Sequence, residues 1–399
     1  MKPVLYPLLC HPAVCAVEDS YVIAVPVRAK TLVSVEINGE TYYDAANGVR
    51  ISDTRVHLIR VPQAALNAAR AYRVVCRRAY LRLPFGCLHG KDVAAQYRFF
   101  PLEKTEDIRI CHISDCHGIR RAAASSGRYF GDRLDLLILN GDIQDFSARV
   151  SQTLLPYKIA SDIVGGEKPV LLSRGNHDLR GAAAEKLAAL YPTANGSAYF
   201  YARVGCMWFV VLDCGEDKVD GHCEYGGTAA FHPFRMAQTA YLEALADGGS
   251  YREKDVLYRF VVSHVPFNVR NREVMRGEAP FDIEDDLYAR WCRALNEKIR
   301  PQLLFSGHFH EIYILPRGTV RTPDGQLVGT LRGADKTMFP DDARCTRGLA
   351  CDTLVGGMPK GKRDYISANV CVCRGGCTVD FADREGNVLK TETSSFPEA

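Results

Sequence analysis

The sequence predicts an α/β protein preceded by an all-β unit, and three observations lead there. Nearly continuous apolar runs at residues 110–113, 134–139, 169–173, 260–263 and 303–306 have the composition of strands buried on both faces. Helical patterns fall among them, at about residues 153–163, 181–190, 235–246 and 284–298, and strands alternating with helices make an α/β core. Before residue 106 the pattern changes to short alternating strands divided by turn signals.

Within this amino-terminal unit, residues 1–105, strands are expected at 21–27, 32–37, 40–43, 56–61, 72–78 and 94–99, as in a β-sandwich. Asn38-Gly39 supplies a hairpin turn between the second and third, because both residues tolerate positive φ. No linker rich in Pro, Gly or Ser precedes the second unit, residues 106–399, so the two are expected to pack closely. A further strand at 207–212 leads into a polar loop, 214–234, with His222, Tyr225 and His232 as candidate substrate contacts. A second loop, 268–285, carries Arg270, Arg272 and Arg276, any of which could grip a phosphate oxygen. After residue 310 the chain is turn-rich; strands within 366–396 are expected in the second sheet of the catalytic portion, while 332–363 has no periodicity that places it.

The chemistry gathers where the apolar runs end. They finish in Asp115-Cys116-His117, Gly141-Asp142, Gly175-Asn176-His177-Asp178, His264 and Gly307-His308-Phe309-His310. Strand carboxyl ends are where open α/β sheets collect functional side chains. Five of the eleven histidines stand directly behind such strands, and carboxylate and amide oxygens mixed with imidazoles suit a divalent transition metal.

These blocks, in this order, resemble the calcineurin-like metallophosphoesterases, and the resemblance covers about residues 108–311. It implies a four-layer fold, with two mixed β-sheets packed face to face and helices on both outer faces. It also implies two divalent ions, manganese, iron or zinc. One would be held by Asp115, His117, Asp142 and His310 and the other by Asp142, Asn176, His264 and His308, with Asp142 bridging. The implied reaction is hydrolysis of a phosphomonoester or phosphodiester by a hydroxide between the metals. His177 would serve the leaving group as general acid or transition-state stabiliser, with Asp178 orienting its ring and Arg180 available to phosphate. Residues 66–72 are similar to the fibronectin type III turn in the front domain of purple acid phosphatases. Those enzymes carry a metal-binding Tyr where this chain has Asp145, and lack the His that stands here at 117, so an imidazole would replace a phenolate.

Composition narrows the partners. With 50 basic and 47 acidic residues the net charge is +3, too weak a field to favour nucleic acid, and a small phosphate ester is the expected substrate. A nuclease of the same superfamily would need a basic aromatic groove, and a scaffold without catalysis would usually lack ligands that are all present here. The fifteen cysteines are scattered, odd in number and without a Cys-x-x-Cys pair, which fits a reducing, cytoplasmic setting. Cys371, Cys373 and Cys377 are accounted for by strand alternation around a Gly375-Gly376 turn rather than by zinc. Pro3, Pro7 and Pro12 interrupt the apolar start that a signal peptide would need, and no run is long enough to span a membrane, so no membrane partner is expected.

Overall fold

A computed structural model describes residues 3–268, 284–321, 327–330, 349–361 and 363–397. Its centre is a pair of sheets. The larger has ten strands, in the order Val388–Ser395, Gly376–Ala382, Asp364–Cys373, Ile108–Ile113, Leu136–Asn140, Pro169–Ser173, Ala13–Val17, Ser20–Pro26 and Val56–Pro62, with Met358–Lys360 paired beside Asp364–Cys373. The smaller has six, in the order Phe200–Val204, Met207–Leu212, Tyr258–Ser263, Leu303–Ser306, Asp352–Val355 and Tyr313–Leu315. In both, the central strands run parallel and the edges antiparallel.

Strand alternation explains the four layers. In Ile108–Ile113, Ile108 and Ile110 face the core between the sheets while Cys111 and Ile113 face outward. Phe209 and Val211 of the smaller sheet point into the same central core, and Trp208, Val210 and Leu212 point away from it. The outer face of the larger sheet is covered by the helices Arg120–Ser126 and Leu155–Val164, through Ala123, Tyr157 and Ile159. Phe231–Gly248 and Asp285–Arg293 cover the other sheet through Leu242, Tyr288 and Trp291. This is the helix, sheet, sheet, helix order that the resemblance implies.

Two assignments differ from the sequence reading. The division expected at residue 105 falls inside a shared sheet. Ala13–Val17 lies parallel to Pro169–Ser173, with Val14 opposite Pro169 and Cys15 opposite Val170, and carries Ser20–Pro26 and Val56–Pro62 with it. All five residues of Ala13–Val17 are buried, as an interior strand requires. The rest of the amino-terminal region forms a separate antiparallel sheet in the order Glu40–Tyr43, Thr31–Ile37, Ala71–Leu83 and Gly86–Arg98. The second difference concerns the carboxyl-terminal strands, which join the larger sheet rather than the one bearing His264 and His308. Asp364–Cys373 is buried along most of its length and takes an interior place against Ile108–Ile113.

No disulfide joins the described cysteines, and Cys371 Sγ approaches Asp107 Oδ1 at 3.1 Å while Cys377 is buried in its strand. No described helix is long and apolar enough to cross a membrane.

Candidate metal centre

The two sheets bring their strand ends to one place. The larger sheet delivers Asp115 and His117 after Ile108–Ile113, Asp142 after Leu136–Asn140, and Asn176 and His177 after Pro169–Ser173. The smaller delivers His264 after Tyr258–Ser263 and both His308 and His310 after Leu303–Ser306. Asn140 ties the sheets together beneath them, since its buried Nδ2 donates to the Phe305 carbonyl (3.1 Å) and its Oδ1 accepts from Ser173 Oγ (2.7 Å).

The glycines of the motifs have a steric reason. A Cβ on Gly141 would lie 2.5 Å from the Gly175 nitrogen, and one on Gly175 would lie 2.7 Å from His264 Cδ2 and strike the Asp142 carboxylate. The ligand loops could not close with side chains there. The site residues pay in backbone conformation: Asp115 (φ +52°), His117 (+42°), Asp142 (+51°), His308 (+74°) and His310 (+54°) all occupy the left-handed region. At about 1–3 kcal/mol for each such residue, this strain is held by the surrounding structure, and strain of this kind gathers at functional sites.

Three overlapping groups could hold a cation: Asp115, His117 and His310; His117, Asp142 and His177; and Asp142, His264 and His308, with donor atoms in each group all within 4.8 Å of one another. Asp142 Oδ2 lies 3.2 Å from His264 Nε2 and 3.9 Å from His117 Nε2, so one carboxylate oxygen stands between the two halves. In the first half His117 Nε2 faces His310 Nε2 at 2.9 Å, and His310 Nε2 is 3.5 Å from Asp115 Oδ1. In the second, His308 Nδ1 meets Asn176 Oδ1 at 3.2 Å. Every residue expected as a ligand is thus present at one locus.

The donor set suits a cation. His264 Nδ1 donates to the Asn140 carbonyl (2.7 Å), leaving its buried Nε2 with no properly directed hydrogen-bond partner, although two carboxylates lie near it. Burial lowers the pKa of His308 and His310 to about 4, which keeps both imidazoles neutral and their lone pairs available. Burial raises Asp115 to about 7, against the opposing pull of His264 and with the help of Asp142. His264 itself is pushed down by burial but lifted further by Asp142 and Asp115, to about 10. Asp142, although buried, is held below the usual carboxylate range by His264, His177 and His117. Asp142 and Asp115 thus favour positive charge at His264, a demand that a cation beside Nε2 would also meet.

His177 is oriented differently from expectation. Its Nδ1 donates to the Asp145 carbonyl (2.8 Å) and its backbone N–H to Asp142 Oδ1 (2.8 Å). Asp178 does not touch the ring: it sits in a short turn, His177–Leu179, that points it back beneath the site, where Oδ2 accepts from the backbone of Gly175 (2.6 Å) and Asp142 (3.0 Å). It therefore braces two ligand loops. Arg180 is anchored to Glu216 by two bonds of 2.7 and 2.8 Å and turns Nη1 towards His177 Nε2 at 3.2 Å.

Asp145 is the functional residue whose role the sequence left unread. Its Oδ1 accepts from His117 Nδ1 (2.8 Å), directing the other nitrogen of that ring inward, while its carbonyl fixes His177. The only signal was an acid three residues after Asp142. Of the loop candidates, Tyr225 donates to Glu216 Oε2 (3.1 Å) and so joins the network behind Arg180. His222 instead accepts from the Glu224 backbone and His232 pairs with Glu284. Arg270, Arg272 and Arg276 lie outside the described residues.

Comparison with known proteins agrees with this layout. Residues 108–311, just over half of the chain, match the family model of the calcineurin-like phosphoesterases. A purple acid phosphatase, PPD1 from yellow lupin (Lupinus luteus), is similar in structure, with a TM-score of 0.56 at 11% identity, covering 97% of this chain and 74% of that one. PhoD is similar with a TM-score of 0.51 at 11% identity, covering 99% and 90% respectively. At such identity the likeness concerns the fold alone. Comparison with curated protein sequences gives no match.

Proposed function

Because the chain belongs to the calcineurin-like phosphoesterase family, we propose that it hydrolyses a small phosphate ester at a binuclear centre. Asp115, His117, Asp142 and His310 would hold one divalent ion and Asp142, Asn176, His264 and His308 the other. The observation that carries this reading is the position of Asp142 Oδ2 between His264 Nε2 and His117 Nε2, at 3.2 and 3.9 Å. When bound, such a pair of ions supplies Lewis acidity to the phosphoryl oxygens and acidifies a water.

The protein's own groups do the rest. His177, with Nδ1 committed to the Asp145 carbonyl, accepts from Arg180 at Nε2; once an ester takes that Arg180 donor, Nε2 would carry a proton to the leaving oxygen. Arg180, 3.2 Å from that atom and anchored by Glu216, offers a fixed positive charge to the same anionic oxygen. An open cleft of about 960 Å³ begins at Gly118, beside His117, and is lined by Arg120, Arg121, Arg128, Arg363 and Arg384 against Asp162 and Glu385. Its excess of positive charge suits a small monoester or diester whose remainder is also anionic.

A panel of phosphomonoesters and phosphodiesters, run with manganese, iron or zinc on metal-stripped protein, tests the activity; no turnover with any pairing would remove the proposal. Asp145→Ala should weaken metal binding by about 10- to 100-fold, the usual scale for removing the acceptor of a ligating histidine. The His177 contact should persist, since it uses the backbone carbonyl. Chelator competition measures this, and an unchanged affinity would mean that Asp145 does not orient His117. His177→Ala should keep its metals and lose about 10²- to 10⁴-fold in rate. The loss should be greater for alkyl than for p-nitrophenyl esters. Loss of metal would make His177 a ligand, and an equal loss for both esters would dissociate it from the leaving group.

A further inference from the structure

The hairpin formed by Ala71–Leu83 and Gly86–Arg98 is much longer than the sheet it belongs to. Its neighbour, Thr31–Ile37, pairs with it only from Arg73 to Arg78, and the last backbone bond to the rest of that sheet runs from Ala79 to the Lys30 carbonyl. Beyond that point two strands continue alone, by roughly 15 Å at the usual rise per residue. A bare two-stranded ribbon is marginal in water unless one face is covered.

The composition of this projection is not that of a solvated ribbon. Leu81 stands opposite Leu88 and Leu83 opposite Gly86, which places the three leucines on one face. They are 53%, 56% and 48% exposed for Leu81, Leu88 and Leu83, and Phe85 at the turn is 104% exposed. An apolar cluster of this kind marks an interaction surface. Residues 78–91 also contain Arg78, Arg82 and Lys91 and no acidic residue. The Arg78 guanidinium lies over the rings of Tyr6 (5.4 Å) and Tyr80 (5.0 Å), themselves 52% and 57% exposed, while Arg82 Nη1 donates to the Arg50 carbonyl (2.9 Å). Apolar tip, tyrosines behind it with Arg78 over their rings, and Arg82 nearer the turn form the order found where proteins enter the interface of a bilayer.

We propose that this hairpin docks the protein on an anionic lipid surface, with Phe85 and the three leucines among the acyl chains and the basic residues at the headgroups. A second copy of the chain is the poorer occupant, because a two-fold contact through the tip would bring together three cations from each copy with no acid between them. The sequence alone gave no reason to expect a membrane; the reason is the gathering of these residues on one unpaired ribbon.

Co-sedimentation of the full chain with vesicles tests the proposal. Binding is expected to vesicles of phosphatidylcholine with phosphatidylglycerol, and to fall by about ten-fold or more on neutral vesicles or at high salt. Leu83→Ser with Phe85→Ser should abolish it and leave hydrolysis of soluble esters unchanged. Phe85→Trp, a conservative change, should give a blue-shifted emission on adding anionic vesicles, against the constant background of the buried Trp208 and Trp291. Absence of wild-type binding, or binding that the double variant retains, would overturn the proposal. So would lipid-free self-association that the double variant abolishes, since the ribbon would then be a contact between copies.

Discussion

Asp142→Ala is expected to leave the protein without measurable hydrolysis and with its metal content reduced to one ion or none. Among the described residues its carboxylate alone belongs both to a group containing His117 and to the group of His264 and His308, so removing it opens both halves of the site together. The loss of rate should reach about 10³-fold or more, because groups that act as a unit fail as a unit. Asp142→Asn separates shape from charge: it keeps an oxygen at the same place but withdraws the anion that would offset the proposed cations. It should retain more metal than the alanine variant while remaining nearly inactive. Retention of two tightly held ions by Asp142→Ala would mean that Asp142 does not bridge.

The second large effect is on folding. Removing residues 1–105 should abolish cooperative folding of the remainder, although every expected ligand lies beyond residue 105. The deletion takes away Ala13–Val17, Ser20–Pro26 and Val56–Pro62 and bares the edge of Pro169–Ser173, the strand that positions Asn176 and His177. Val14, Val17, Ile23, Val25, Ile59 and Val61 are all fully buried. At about 1.5–3 kcal/mol for each such side chain, their burial is comparable to the whole stability of a typical domain, about 5–15 kcal/mol. Soluble yield and a thermal melt by circular dichroism measure the outcome. A cooperative melt for 106–399 with normal metal content would show that the shared sheet is dispensable.

These two expectations differ in how far they could be read from the chain. The candidate cluster was legible because each of its residues lies within a few positions of the strand that presents it, so that a local apolar run followed by Asp, Asn or His carries the signal. Sheet membership was not, because burial periodicity reports the environment of a strand and not its neighbour. Ala13–Val17 is apolar throughout whether it pairs with Ser20–Pro26 alone or also with Pro169–Ser173, 155 residues on from Val14 to its partner Pro169. The same ambiguity set Asp364–Cys373 in the wrong sheet. Second contacts were harder still: Asp178 follows His177 directly, which suggested that it served that ring, but a single turn of backbone directs it to Gly175 and Asp142 instead. Asp145 reaches His117 across 28 residues, and nothing local announces that contact.

The pH dependence of metal binding follows from the same charges. In the metal-free chain His264 is protonated below about 10 and Asp115 below about 7. A metal must displace those protons, so affinity should rise with pH between 6 and 8 and binding should release protons to the buffer.

Metal stoichiometry tests the binuclear centre most directly. Metal-stripped protein would be titrated with manganese or zinc, freed of excess ion and assayed by mass spectrometry for metal per chain, alongside Asp142→Ala. Two ions per chain in the wild type, falling to one or none in the variant, is the expected result. A wild type that saturates at a single ion, or holds none, would contradict the assignment.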